Sequence, residues 1–201
     1  EHLWAPHASL NDWINNTPFI DWSDLALGKY VSKVDENGVL IMRRIAHYYP
    51  PGSKPVELFV EKRVVISTEN PCITLEYRFE NQGNSIIEGL LGLEYTIAPK
   101  LPRNRIKAGF TGYTVNNVDH SINNTWTGET EHVVIKSPIF PDTVIETSSK
   151  TTYWISPINM PARTEKGIIH NFEGLGIMPI YNIRLEPGGE FKQRIRLYIR
   201  R

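Results

Sequence analysis

Three aspartates, Asp12, Asp21 and Asp24, lie near the start of the chain and are interleaved with Trp13 and Trp22. Paired carboxylates beside flat aromatic faces are the equipment of glycoside chemistry. One acid protonates the leaving oxygen, the other attacks or activates water, and indole faces stack on sugar rings. In the plainer reading Asp12 and Asp24 cap turns, and the tryptophans fill the edge of a core. A second constellation is Tyr113, Asn116, Asn117, Asp119, His120, Asn123, Asn124 and Trp126. Amides, an acid and aromatics at the ends of two short strands have the make-up of a sugar-binding surface. The alternative is a polar hairpin with Trp126 half-buried. The candidate carbohydrate contacts are therefore Trp13, Trp22, Tyr113, Asn116, Asn123 and Trp126.

Other chemistries find little support. The histidines at 2, 7, 47, 120, 132 and 170 show no His-Glu-x-x-His spacing, and there are no cysteine pairs, so no zinc motif is present. There is no Gly-x-Ser-x-Gly elbow and no glycine-rich phosphate loop. Neither a metal nor a cofactor is expected. Cys72 is the one cysteine; it cannot form an internal disulfide and reads as a small apolar residue in a strand. Glu76, Glu80, Glu88 and Glu94 alternate with apolar residues and read as solvated strand faces.

The elements that must carry these groups are strands. In Ile73-Thr74-Leu75-Glu76-Tyr77-Arg78-Phe79-Glu80 apolar and charged residues alternate without a break. Period-two alternation sends one set of side chains into a core and the other into water, the mark of a half-buried antiparallel strand. Val56–Ile66 and Ile87–Ile97 follow the same rule, and so does the closing run Phe191–Ile199. These patterns put Leu75, Tyr77, Phe79, Leu91, Leu93, Ile195 and Leu197 in the core. Asn37-Gly38 marks a hairpin between strands at 29–34 and 39–48, because both turn positions tolerate positive φ. Shorter strands are expected at 105–110, 113–118, 121–127, 132–137, 143–147 and 151–155, then at 167–172 and 175–181. Roughly thirteen strands with turn residues between them predict an all-β fold: a large two-sheet antiparallel β-sandwich. Residues 1–27 have no clean period and read as an irregular arm with one helical turn after Ser23. Residues 28–201 read as a single sandwich domain.

Composition narrows the partners. The chain has 201 residues, with 22 Lys plus Arg against 22 Asp plus Glu. A balanced surface exerts no general pull on nucleic acid or anionic lipid. No apolar run reaches the roughly 20 residues that span a bilayer, and no signal peptide is visible, so cytoplasmic residence is expected. Asn15-Asn16-Thr17 and Asn123-Asn124-Thr125 match the glycosylation pattern but carry no weight without secretion. The chain starts at Glu1 rather than at methionine, which suggests a domain cut from something longer.

Three segments together resemble the C-terminal β-sandwich of the glycoside hydrolase family 57 amylases and 4-α-glucanotransferases. The first is Pro18-Phe19-Ile20-Asp21-Trp22-Ser23-Asp24-Leu25-Ala26-Leu27-Gly28-Lys29-Tyr30. The second is Leu75–Asn81 followed by Gly92-Leu93-Glu94-Tyr95-Thr96-Ile97-Ala98. The third is Phe172–Tyr181 followed by Leu185-Glu186-Pro187-Gly188-Gly189-Glu190. The resemblance implies a galactose-mutarotase-like super-sandwich. It also implies that the catalytic acids lie on a separate N-terminal barrel, so no catalytic residue transfers to this chain. The barrel of the parent chain becomes the expected partner, with α-glucan as a further contact. The competing reading is a free-standing aldose mutarotase or epimerase, or a carbohydrate-binding protein, on the same fold. In such an enzyme an acid–base set, here His120 and His170 with a glutamate, would move protons at the anomeric centre.

Overall fold

A computed structural model describes residues 1–98, 111–165 and 167–200. The strand expected at 105–110 lies outside the described residues. In chain order the elements are β1 (His2–Trp4), α1 (Leu10–Ile14), β2 (Val31–Val34), β3 (Leu40–Tyr48), β4 (Val56–Ser67) and β5 (Cys72–Asn81). There follow β6 (Ile87–Gly92), β7 (Tyr95–Ile97), β8 (Gly112–Val115), β9 (Val118–Ser121) and β10 (Trp126–Lys136). The chain closes with β11 (Asp142–Thr164), β12 (Gly167–Leu185) and β13 (Glu190–Arg200). All described strand pairs are antiparallel.

The strands hydrogen-bond in the order β1-β6-β12-β11-β13-β5-β4-β3-β2. This continuous sheet folds over at β11. Along one edge, Asp142–Thr147 pairs with β13, and from Thr152 onward the same edge pairs with β12. The strand thus leaves one layer and enters the other, as strands do at the corners of packed sheets. The opposite edge of β11 pairs with β10 along both halves, with a register shift between Thr130 and His132. Contacts across the layers establish the sandwich. The Tyr77 and Tyr95 hydroxyls lie 3.0 Å apart, and the Tyr181 and Phe191 rings are 5.3 Å apart.

The inter-sheet core follows the alternation in the sequence. Leu75, Tyr77, Phe79, Leu91, Leu93 and Ile195 are buried, and Leu197 is half-buried against them. Two pairs of expected strands are fused. The segments 143–147 and 151–155 are one strand, β11, and 167–172 and 175–181 are one strand, β12.

The first 27 residues are more ordered than their composition suggests. β1 adds to the edge of β6, and the helical turn follows Ser9, not Ser23. Ser9 and Asp12 form a reciprocal capping box, in which the Asp12 N–H donates to Ser9 Oγ and the Ser9 N–H to Asp12 Oδ2. This arm lies over the outer face of β11 and β12. Trp4 and Ala8 pack there with Trp154, Met178 and Ile180 as a second apolar cluster, joined by the half-buried Trp13. The central strand β12 is thereby covered on both faces, which explains why Leu175–Tyr181 has no polar alternation.

Candidate carbohydrate-contact sites

The two groups of sequence-predicted contacts lie on different elements. Trp13 sits on α1, and the capping box fixes its direction. Its six-membered ring rests on Gly176, where an added Cβ would fall 3.0 Å from the indole. A side chain at 176 would lift the ring off the sheet, so glycine permits the approach. Beside the indole lies an open cleft of about 420 Å³, lined by Trp13, Ile14, Glu94, Ser156, Pro157 and Asn159, with Ile158 completing it. An aromatic ring, a carboxylate, a hydroxyl and an amide are thus gathered in one place, a set suited to the apolar faces and hydroxyls of a pyranose.

Glu94 is held by His2. The imidazole Nδ1 lies 2.7 Å from Asp21 Oδ2, and Nε2 lies 3.1 Å from Glu94 Oε2. Both nitrogens donate at once only in the protonated ring. Burial lowers the affinity of His2 for its proton, but the hydrogen bonds to Asp21 and Glu94 outweigh it, and the pKa is raised above its ordinary value. The same contact, chiefly the hydrogen bond from His2, lowers the pKa of Glu94. A carboxyl with a lowered pKa is a poor proton donor, and a histidine with both nitrogens engaged cannot shuttle protons to a bound sugar. This trio orders the arm; it does not supply an acid–base pair. The alternation in the sequence presents Glu94 as a solvated strand face, and nothing in the sequence points to a partner for His2. No local spacing could have joined residues so far apart in sequence.

Trp22 and the other two aspartates hold structure together. Trp22 packs against the inter-sheet core and contacts Tyr48 at 6.2 Å, away from the Trp13 cleft lining. Asp21 also accepts from the Ser23 N–H and hydroxyl, at 3.1 and 2.9 Å. Asp24 accepts from Arg44 Nη2 at 2.7 Å and from the His47 backbone at 2.9 Å. The Arg44 side chain is 6% exposed, so this pair is an internal fastening of the arm to β3.

The second constellation converges on the β8–β9 hairpin. Asn116 and Asn117 form its two-residue turn with φ of 51° and 64°, the left-handed conformation that asparagine tolerates better than other side-chain-bearing residues. Asn116 Nδ2 donates to the Glu129 carbonyl at 3.0 Å. The Tyr113 ring is 0% exposed, its hydroxyl donates to the Asn124 carbonyl at 3.0 Å, and its pKa is pushed up to about 12 by burial. Tyr113 therefore packs into the core, and it also forms part of the lining of the depression beside the hairpin. His120 stacks on it at 5.2 Å, and Trp126 lies 6.1 Å from His120. Asn123 is exposed, with its backbone N–H on Ser121 Oγ. A depression of about 310 Å³ follows this hairpin, lined in part by Asp119, His120 and Lys136. His170 lies on the separate β11–β12 pair, so the structure does not gather His120 and His170 on one hairpin. Among the described residues no cluster of metal-ligating side chains occurs, and no helix is long and apolar enough to cross a membrane.

A search of curated proteins found no match. Among solved structures, 4-α-glucanotransferase from Thermococcus litoralis superposes with a TM-score of 0.75 at 16% identity, over 99% of this chain and 27% of that one. The present chain thus spans about a quarter of that protein. A galactose mutarotase related enzyme from Lactobacillus acidophilus superposes with a TM-score of 0.58 at 8% identity, over 87% of this chain and 72% of the other. A galactose mutarotase-like protein from Lactobacillus casei gives 0.56 at 10% identity, over 85% and 73%. At these identities the likeness is one of fold. The sequence itself matches the family described as alpha-amylase/4-alpha-glucanotransferase, C-terminal, over residues 1–195, and the chain belongs to that family.

Proposed function

We propose that this chain is the non-catalytic accessory domain of an α-glucan-processing enzyme of glycoside hydrolase family 57, supporting a catalytic barrel and contacting glucan at the Trp13 cleft. The observation that carries the reading is the family match over residues 1–195. The site chemistry agrees with it. Asp21 and Glu94 are bridged by one imidazole, Asp24 is bound to Arg44, and Asp12 caps α1. None is arranged as a general acid facing a nucleophile across a sugar. Of the sequence-predicted contacts, Trp13 lines the larger of the two open depressions that hold one, about 420 against 310 Å³, so we place the glucan there; Asn116 and Asn123 beside the β8–β9 hairpin, with Trp126 at the start of β10, form the secondary candidate. We further propose cytoplasmic residence, in keeping with the single free Cys72.

The test is an assay of the purified chain on maltooligosaccharides, alone and as part of its complete open reading frame. No reducing-sugar release or disproportionation is expected from the chain alone, and activity is expected from the complete protein. An open reading frame with no parallel βα barrel upstream defeats the proposal. The mutarotase-like fold favours one alternative, a free-standing aldose mutarotase. Polarimetry of fresh glucose decides it, since acceleration by this chain would replace the accessory role with a catalytic one.

A further inference from the structure

The outer face of β4, β5 and β13 carries rows of charged side chains that point away from the sandwich core. Almost all of them are neutralised by a neighbour. Arg43 pairs with Glu61 at 2.5 Å. Arg78 pairs with Glu80 and Glu190 at 2.6 and 2.8 Å. Lys192 shares Glu190, and Arg194 lies 3.4 Å from Glu76. Arg63 is different. Although β4 and β5 register it directly opposite Glu76, it has no ion pair with any described residue. Its Nε–H is buried and has no hydrogen-bond partner. Buried donors in folded proteins nearly always have an acceptor, and an orphan on a guanidinium is costly.

The surroundings say what the acceptor is. Arg63 lines a groove of about 530 Å³ over β4, β5 and β13, which Ser148 also lines from the point where β11 changes layers. Four carboxylates serve the other four cations around this groove, so the surplus is one positive charge, that of Arg63. A site with one surplus charge suits a monoanionic or weakly dianionic oxyanion and disfavours a polyanion. A planar guanidinium matches a carboxylate or a phosphate better than it matches any neutral group. The groove is larger than an inorganic ion requires, and Glu61, Glu76 and the Ser148 hydroxyl line it with acceptors for hydroxyl groups.

We infer that Arg63 is the anchor of a binding site for a small, hydroxyl-bearing oxyanion, such as a sugar phosphate or a sugar acid, on the outer face of β4, β5 and β13. The site is separate from the Trp13 cleft and does not depend on the glucan-processing reading. The phosphate or carboxylate oxygens take the Arg63 Nε–H and Nη–H groups, and the sugar hydroxyls face the flanking glutamates.

The test is a titration of the chain at low ionic strength with glucose 6-phosphate, gluconate, inorganic phosphate and glucose, followed by calorimetry and by the NMR resonances of the arginine Nε–H groups. Glucose 6-phosphate or gluconate is expected to bind, with whichever is tighter identifying the oxyanion, inorganic phosphate more weakly, and glucose not at all at this groove. The Arg63 Nε–H resonance should shift on binding, a readout that needs no variant. Arg63→Gln should weaken binding at least about tenfold. Arg63→Lys, which keeps the charge and loses the fork, should fall between. Failure of both oxyanion sugars to bind, binding that leaves the Arg63 resonance in place, or full affinity in Arg63→Gln overturns the site.

Discussion

The sandwich and the arm are fastened by different forces. Between the two layers, side chains such as Phe79, Leu58 and Ile195 are wholly buried, and the Tyr77 and Phe79 rings lie nearly parallel at 6.2 Å. That region is stabilised by removal of apolar surface from water, an effect with little dependence on pH. The arm also buries Trp4 and Leu3, but its attachment runs through charges. Glu1 meets Lys62 at 3.1 Å, His2 bridges Asp21 and Glu94, and Asp24 holds Arg44 and His47. Charged fastenings are directional and titratable. The sandwich is therefore a fixed platform, and the arm carrying Trp13 is a cover whose hold depends on protonation state.

The largest expected effect lies in the sandwich. Phe79→Ala removes a wholly buried ring and should cost about 3–5 kcal/mol in urea unfolding. The cost should be the same at pH 5 and pH 8, since no titrating group is removed. A cost that varies strongly between those pH values would erase the contrast drawn here.

Next in size is the Asp24 fastening. Asp24→Ala leaves the buried Arg44 guanidinium without its carboxylate, although Arg44 keeps the backbone carbonyls of Asp24 and Leu25 at 3.1 and 3.4 Å. Removal of one partner of a buried pair is expensive, and the retained carbonyls soften it, so the loss should be about 2–3 kcal/mol. Double-mutant analysis with Arg44→Met tests the coupling. Additive losses would mean that the pair is not a fastening.

A smaller effect concerns pH. The pKa of His2 is raised in the fold, so its contribution is fully present below the ordinary value of 6.5 and is lost as pH rises through the raised value. The pKa of Glu94 is lowered, so its contribution is present above the ordinary value of 4.5 and is lost as pH falls through the lowered value. The His2 bridge should hold best between those two ordinary values. Its worth is about 1 kcal/mol, because both partners retain some solvent contact. Tryptophan fluorescence, to which Trp4, Trp13 and Trp22 of the arm contribute, should report loosening as pH rises through the raised His2 value. His2→Gln should flatten that profile. An unchanged profile in His2→Gln would detach the arm's hold from this histidine.

The same contrast explains what the sequence discloses. The strands that face water on one side, β5 and β13, announce themselves by alternation, and the core residues named from that alternation are buried or half-buried. β12 does not alternate through Leu175–Tyr181, because the arm covers its outer face, and the run reads as a short separate strand. The arm carries no period because it is held by single long-range contacts, each invisible to a local window. His2 and Glu94 are 92 positions apart. Trp13 was legible as a candidate by its residue type, but its cleft was not, since Ser156, Pro157 and Asn159 come from β11. Tyr113 was legible as an aromatic near amides, but a residue type does not say which face of a hairpin it occupies.

The smallest effect, and the sharpest division between platform and cover, is sugar contact. If the arm is only a cover, maltoheptaose should leave every tryptophan unmoved. If the Trp13 cleft holds glucan, maltoheptaose should shift the fluorescence, and Trp13→Ala should abolish the shift. That variant also strips packing from Gly176, so it cannot separate binding from a loosened arm by itself. A control for loosening is His2→Gln, which breaks the same bridge as Glu94→Gln but changes no residue of the cleft lining. If Glu94 accepts from sugar hydroxyls, Glu94→Gln should weaken binding about tenfold, or 1.4 kcal/mol, and His2→Gln should weaken it less. Gly176→Ala inserts a methyl 3.0 Å from the Trp13 ring and displaces the indole without deleting it, so it should weaken glucan while sparing the inter-sheet core. Trp126→Ala, at the start of β10 and outside the cleft lining, should change nothing if the arm is the site. Loss of the maltoheptaose response in Trp126→Ala, together with its survival in Glu94→Gln and Gly176→Ala, would move the contact from the arm to the β8–β9 hairpin. The arm would then be left with a purely structural duty.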